Sequence, residues 1–210
     1  YTDTPRLTNA FDLVIGNPPF SGTVIKSDPY YGKFGFVLHD FFFAKSLDAV
    51  KPGGVLMFVT SAGTMNKLDA KAREYLADRA DLLGAIRLPN DAFAANAGTR
   101  VTTDIIVLRK RAEGEAAGSR DWTETVNLEL PNREGGTTTG AVNRYFAENP
   151  DMILGEQGMF DQLTAGERYG VRSKPGTDIE VALTEAIGRI TTKPMTSTAA
   201  APVQIETMAV

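Results

Sequence analysis

Asn17-Pro18-Pro19-Phe20 is the segment of this sequence whose residue types can do chemistry without a strong base. It follows Phe11-Asp12-Leu13-Val14-Ile15, a short and nearly continuous apolar run closed by Gly16. Such a run reads as a strand buried on both faces in a parallel sheet, and in an open parallel sheet ligands bind at the carboxyl ends of the strands. At that end Asn17 offers a side-chain carbonyl and Pro18 a backbone carbonyl. The proline rings fix φ and remove N–H donors that would compete. Two acceptors are therefore held stiffly, with Phe20 as a flat apolar surface beside them, and the set suits a planar group carrying an NH2. An amine on a heteroaromatic ring is a poor nucleophile because its lone pair is delocalised. Acceptors gripping both N–H bonds favour a tetrahedral nitrogen and free that pair. The matching electrophile is the methyl group of a sulfonium held in line with the nitrogen, so that catalysis comes chiefly from positioning. Phe20 would stack on a base swung out of its duplex.

Composition removes most competing chemistries. The 210 residues are 42% hydrophobic, 9% aromatic and 23% charged, which describes a soluble globular chain and excludes collagenous, wholly disordered and disulfide-built classes. There is no cysteine and one histidine, so thiolate metal sites, cysteine nucleophiles and most histidine-based catalysis are excluded. That histidine, His39, reads as a surface or capping residue at a helix start. No stretch approaches the ~20 apolar residues of a membrane span and the amino end lacks a signal-peptide layout, giving the expectation of a cytoplasmic protein. The net charge of −4 divides unevenly: residues 1–111 hold 14 Lys/Arg against 11 Asp/Glu, and residues 112–210 hold 8 against 15. Charge alone leaves a nucleic-acid partner undecided.

The elements that must position Asn17 alternate in type. After the first strand, residues 21–35 read as a polar, Gly-rich loop. Val37, Phe41, Ala44, Leu47 and Val50 recur at helical spacing from about Phe36 to Val50, and Lys51-Pro52-Gly53-Gly54 is expected to end that helix. Val55 to Val59 is a second buried strand. A helix over 66–79 is predicted with Leu68, Ala72, Tyr75 and Leu76 inward, followed by strands over Leu82–Leu88 and Val101–Leu108. This order predicts an open α/β sheet. Beyond Arg111 the expectation is a linker or insertion over 112–140, including the Thr/Gly-rich run 135–140, then a helical extension over 141–190 and a tail over 191–210. Within the extension, Thr177 and Glu180 form a capping-box pair ahead of a stripe of Ile179, Leu183, Ala186, Ile187 and Ile190.

Phe11 to Phe20 resembles the catalytic motif of S-adenosylmethionine-dependent adenine-N6 DNA methyltransferases, the group that includes modification subunits of type I restriction systems and large phage or plasmid methylase-helicase proteins. Residues 39–59 are similar to that family's next block, and residues 83–89 through 98–108 to its last strand pair, so the resemblance covers roughly residues 11–111. It implies a partial Rossmann-like methyltransferase sheet whose last strand is antiparallel, followed by a mostly helical or irregular carboxyl-terminal extension. It implies S-adenosylmethionine as cofactor and an adenine in DNA as substrate, in a restriction-modification setting. Carried onto this sequence, Asn17, Pro18, Pro19 and Phe20 are the catalytic set. Asn17 and Asp40 are expected at the cofactor, and Phe20, Phe93, Thr60 and Ser61 at the substrate base; no metal is implied. Arg109-Lys110-Arg111 could meet phosphates or merely be solvated.

The family's glycine-rich loop and ribose-binding carboxylate lie upstream of the motif, and only sixteen residues precede it here. The expectation is therefore the second half of a methyltransferase catalytic domain over 1–111, inactive when isolated and partnered by an upstream cofactor-binding half of the same parent. The strand Phe11–Ile15 would then present a free apolar edge, leaving the isolated chain poorly soluble, self-associated as a homo-oligomer, or covered there by its own tail. Two other readings stand beside this one: an Asn-Pro-Pro methyltransferase acting on RNA or a protein glutamine, and a non-catalytic scaffold or interaction module.

Overall fold

The structure, a computed structural model, describes residues 6–94, 100–162, 167–190 and 204–205. Its centre is a four-stranded sheet of β2 (Phe11–Gly16), β3 (Val50–Ser61), β4 (Ala80–Leu88) and β5 (Thr103–Lys110), in the order β2-β3-β5-β4. β2 and β3 are parallel, with Val14 opposite Leu56 and Gly16 opposite Phe58. β5 runs antiparallel to both neighbours, pairing Ser61 with Thr103 on one side and Leu88 with Thr103 on the other. The antiparallel last strand expected from the resemblance is thus present. The registers also bring the carboxyl ends of β2, β3 and β4 and the start of β5 to one edge of the sheet.

Helix α1 (Leu38–Ala49) joins β2 to β3 and lays Phe43 against Phe58, ring centroids 4.9 Å apart at 62°. Phe41, Ala44, Leu47 and Val50 of the predicted stripe are buried. The helix ends at Ala49, just before Lys51-Pro52-Gly53-Gly54, and those residues belong to β3, which is far longer than Val55–Val59. Gly53 takes φ 80°, a conformation that side chains disfavour, within the stretch where the β2–β3 register shifts between the Phe11–Val50 and Leu13–Val55 pairs. The helix expected over 66–79 is broken in two, α2 (Gly63–Asn66) and α3 (Lys71–Ala77). Lys67 is extended, and Asp69 accepts the Lys71 backbone N–H at 3.0 Å, which starts the chain afresh. Leu68, placed inward by spacing, is therefore 77% exposed, whereas Ala72 and Leu76 are buried as predicted.

The region after Arg111 departs most from expectation. In place of a linker and mostly helical or irregular chain there are two hairpins, β6 (Thr125–Pro131) with β7 (Thr137–Asn143) and β8 (Glu156–Gln162) with β9 (Glu167–Arg172). The Thr-rich run read as a connector is strand because β-branched threonines suit a pleated, half-buried surface. Short helix α4 (Arg144–Glu148) and helix α5 (Ile179–Arg189) complete the region. The cap of α5 is Asp178, accepting from the Glu180 and Val181 N–H groups, and not Thr177. Ala186 is buried and Ile190 meets Gly84 of β4, so the stripe docks on the sheet, but Ile187 stays outside it. Trp122, Leu130, Val142 and Phe146 share one core with Leu56, Ile86 and Leu108 of the sheet.

β2 lies at the sheet edge, and Phe11, Leu13 and Ile15 are 46%, 54% and 60% exposed. Just before it, β1 (Leu7–Thr8) pairs antiparallel with β10 (Gln204–Ile205). The remainder of the expected tail, residues 1–5, and Gly98–Thr99 lie outside the described residues. Among the described residues no helix is long and apolar enough to cross a membrane.

Candidate active site

The local chain forces Asn17 into the open. β2 ends at Gly16, where a Cβ would stand 2.9 Å from Phe58 Cε1, so only glycine lets the strand approach that ring. The next residues cannot extend the ladder, because two consecutive prolines lack N–H groups. Pro18 is buried, while Asn17 and Pro19 are exposed and Phe20 is 41% exposed. Among the described residues none hydrogen-bonds the Asn17 carboxamide or the Pro18 carbonyl. Both acceptors named from sequence are therefore without a protein partner among those residues, Asn17 exposed and Pro18 buried.

They adjoin a cavity of about 290 Å³ between β2 and α1. Asn17, Pro18 and Pro19 line it together with Val14 and Phe58 of the sheet and Phe42, Lys45 and Ser46 of α1. Sequence reading missed the α1 contribution, although Phe42, Lys45, Ser46 and Ala49 recur at helical spacing and mark a second face of that helix. Lys45 is buried, with Nζ 3.5 Å from Asp28 Oδ2 and 5.5 Å from the Phe41 ring centroid. Asp28 in turn accepts the Tyr30 and Tyr31 backbone N–H groups at 2.9 and 3.0 Å, which ties the loop after the motif to the helix. Tyr31 donates to Asp48 at 2.5 Å; burial first, and then that carboxylate, push its phenol well above the ordinary tyrosine range.

The other residues named from sequence lie elsewhere. Asp40 does not line the cavity: it is buried and pairs with Lys67, while His39 Nε2 stands 3.6 Å from Asp40 Oδ1. His39 is buried as well, contrary to the surface expectation. Burial holds its imidazole below the ordinary value of 6.5, Lys67 acts the same way, and Asp40 and the Ser21 backbone oppose both. Thr60 is fully buried, its hydroxyl 3.0 Å from that of Thr64, whereas Ser61 is partly exposed. Phe93 is partly buried against the main core. None of Phe20, Asp40, Thr60, Ser61 or Phe93 borders this cavity. Arg109 and Arg111 are taken up by Asp81, and Lys110 by the Asp48 and Val50 carbonyls, so that basic run is an internal brace.

Residues 3–93 match the Eco57I restriction-modification methylase family. The match spans the Asn-Pro-Pro-Phe segment, α1, β3 and β4 and bears out the resemblance to a restriction-modification methylase. A relative, the defense against restriction protein B of Escherichia phage P1, is 34% identical over 106 residues, covering 49% of this chain and 5% of the phage protein. The chain thus spans about a twentieth of that relative. Among solved structures, the methyltransferase subunit of a type I restriction-modification system from Streptococcus thermophilus is 18% identical with TM-score 0.40, over 88% of this chain and 37% of that one. A DNA modification methylase of Thermus thermophilus, solved in complex with S-adenosyl-L-methionine, is 16% identical with TM-score 0.31, over 56% of this chain and 54% of that one.

Proposed function

We propose that this chain carries the amine-binding part of an S-adenosylmethionine-dependent DNA methyltransferase whose target is the N6 amine of adenine. The observation that carries the reading is the pair of unpartnered acceptors, Asn17 Oδ1 and the Pro18 carbonyl, fixed at the end of β2 within the segment that matches a methylase family. The adenine amine donates one N–H to each acceptor. Held so, its nitrogen would be tetrahedral with its lone pair free, S-adenosylmethionine would supply the methyl group when bound, and the surplus proton would pass from the nitrogen to water. The chain needs no general base for this, in keeping with a site that offers amide, carbonyl and ring atoms. Phe20, half-turned to solvent beside the acceptors, supplies the stacking face for a flipped base.

The described residues fit the methyl acceptor better than the donor. No carboxylate among them lines the cavity to bind ribose hydroxyls, and Asp40, the expected cofactor contact, is engaged with Lys67. The part these residues play is thus on the acceptor side of the reaction. The test is transfer of a labelled methyl group to DNA, RNA and protein by the full protein, with adenine N6 as the labelled position. Label confined to RNA or to glutamine side chains, or no transfer at all, would overturn the reading.

A further inference from the structure

A second opening, about 630 Å³ in volume, lies on the same sheet edge as Asn17 but at the opposite side of the sheet. It collects arginines from three separate segments: Arg100 before β5, Arg133 in the turn between β6 and β7, and Arg172 at the end of β9. All three are exposed, and two of them, Arg133 and Arg172, come from residues 112–210, which are otherwise dominated by acid. They are not random surface charges. Arg133 Nε donates to the Phe160 carbonyl at 2.7 Å, and the Arg172 guanidinium lies 3.9 Å from the Phe160 ring centroid. Phe160 thus aligns two of the three heads. The two carboxylates at the opening are already engaged: Asp161 accepts from Asn90 Nδ2 at 2.7 Å and Thr102 Oγ1 at 3.4 Å, and Asp91 accepts from Ser173 Oγ at 2.5 Å. Neither Arg100 nor Arg172 forms an ion pair with a described carboxylate.

We infer that this cleft holds the phosphate backbone of the DNA strand whose base enters the Asn17 site. Guanidinium forks match phosphate oxygens bidentately, and Arg100 and Arg172 converging on one cleft make a site for consecutive phosphates, beside Arg133, whose Nε and Nη2 both donate to the Phe160 carbonyl and whose charge adds to the field. The position fits one continuous strand. β4 is three strands from β2, about 14 Å at ~4.8 Å per strand, or about four nucleotides at ~3.4 Å rise each. The hairpins after Arg111 acquire a role on this account, because Arg133 and Arg172 come from them. The inference rests on the methyltransferase reading for the identity of the strand, and its test is independent of methyl transfer.

Binding of a fluorescent DNA duplex to the full protein is followed by anisotropy across a salt series, for wild type, Arg100→Gln, the triple variant R100Q/R133Q/R172Q and Lys71→Gln. Each lost phosphate contact lowers the slope of log K against log salt by about 0.9. The expected losses are about 1 for Arg100→Gln, about 2 to 3 for the triple variant and none for Lys71→Gln. Because Arg133 and Arg172 also pack on Phe160, thermal melts accompany the series, and Arg100→Gln decides the matter if the triple variant is unfolded. An unchanged slope in folded Arg100→Gln, an equal loss in Lys71→Gln, or no DNA binding by wild type would overturn the inference. A lowered slope in Arg100→Gln upholds it whether or not methyl transfer is detected, while methyl transfer by Asn17→Ala tests the methyltransferase reading separately.

Discussion

Arg87 and Asp104 face each other across β4 and β5 as a two-pronged ion pair, Nε to Oδ1 and Nη2 to Oδ2 both 2.7 Å, with neither side chain exposed. The guanidinium also lies 4.0 Å from the Phe146 ring centroid and 4.9 Å from that of Tyr169. The sheet is thereby fastened to α4 and to the β8–β9 hairpin through one buried cation. Removing one partner strands the other in the core, so Arg87→Ala should destabilise the fold by about 3–5 kcal/mol, and R87M/D104L by much less. Denaturant midpoints of the two variants check this; equal losses would mean that the volume matters and the charge does not.

Gly16 has no room for a side chain, since a Cβ would stand 2.9 Å from the Phe58 ring, which also packs edge-on against Phe43. Gly16→Ala should cost about 1–3 kcal/mol of stability as an overpacked contact, and should lower methyl transfer further because Asn17 follows directly. A variant with wild-type melting and wild-type turnover would show that the Phe58 ring yields freely.

His39 makes stability pH-dependent in a definite direction. Its folded value is held below 6.5 by burial, so below that pH the unfolded chain binds the proton that the folded chain resists. The contribution is present above 6.5 and is lost as pH falls. Because the chain has one histidine, His39→Gln should flatten the decline in stability between about pH 7 and about pH 5.5, where carboxylates have barely begun to titrate. Parallel stability curves for variant and wild type would contradict this.

Stacking on Phe20 requires only a flat face, worth ~1–3 kcal/mol per base. Phe20→Ala should therefore lose turnover on DNA, while Phe20→Trp and Phe20→Tyr retain most of it. Equal loss in all three variants would mark Phe20 as a packing residue.

Much of the sheet and the reactive segment could be read from residue order, because both are local. The apolar run Phe11–Ile15 declares a strand, but not one buried on both faces as its composition suggested, because β2 is an edge strand with Phe11, Leu13 and Ile15 exposed; the stripe on α1 declares its buried face. What escaped was set by distant partners. Whether Leu68 lies inside depends on Asp69 starting a new helix, and the strands of the two hairpins depend on partners and core contacts supplied by the fold. Asp28 reaches Lys45 only because the loop over 21–35 folds back on α1. Arg100, Arg133 and Arg172 are scattered over widely separated segments of sequence, and no spacing rule links them.

The central claim is that Asn17 and Pro18 activate an amine by accepting its hydrogens. Its most direct test is single-turnover methyl transfer from S-adenosylmethionine to an adenine-containing DNA by the full protein, for wild type and Asn17→Ala, with DNA affinity measured alongside. Loss of a charge-stabilising partner of this kind costs about 2.7–4 kcal/mol in the transition state, so the rate should fall by roughly 10²–10³ while DNA affinity stays near that of wild type. A variant that methylates at the wild-type rate would contradict the account.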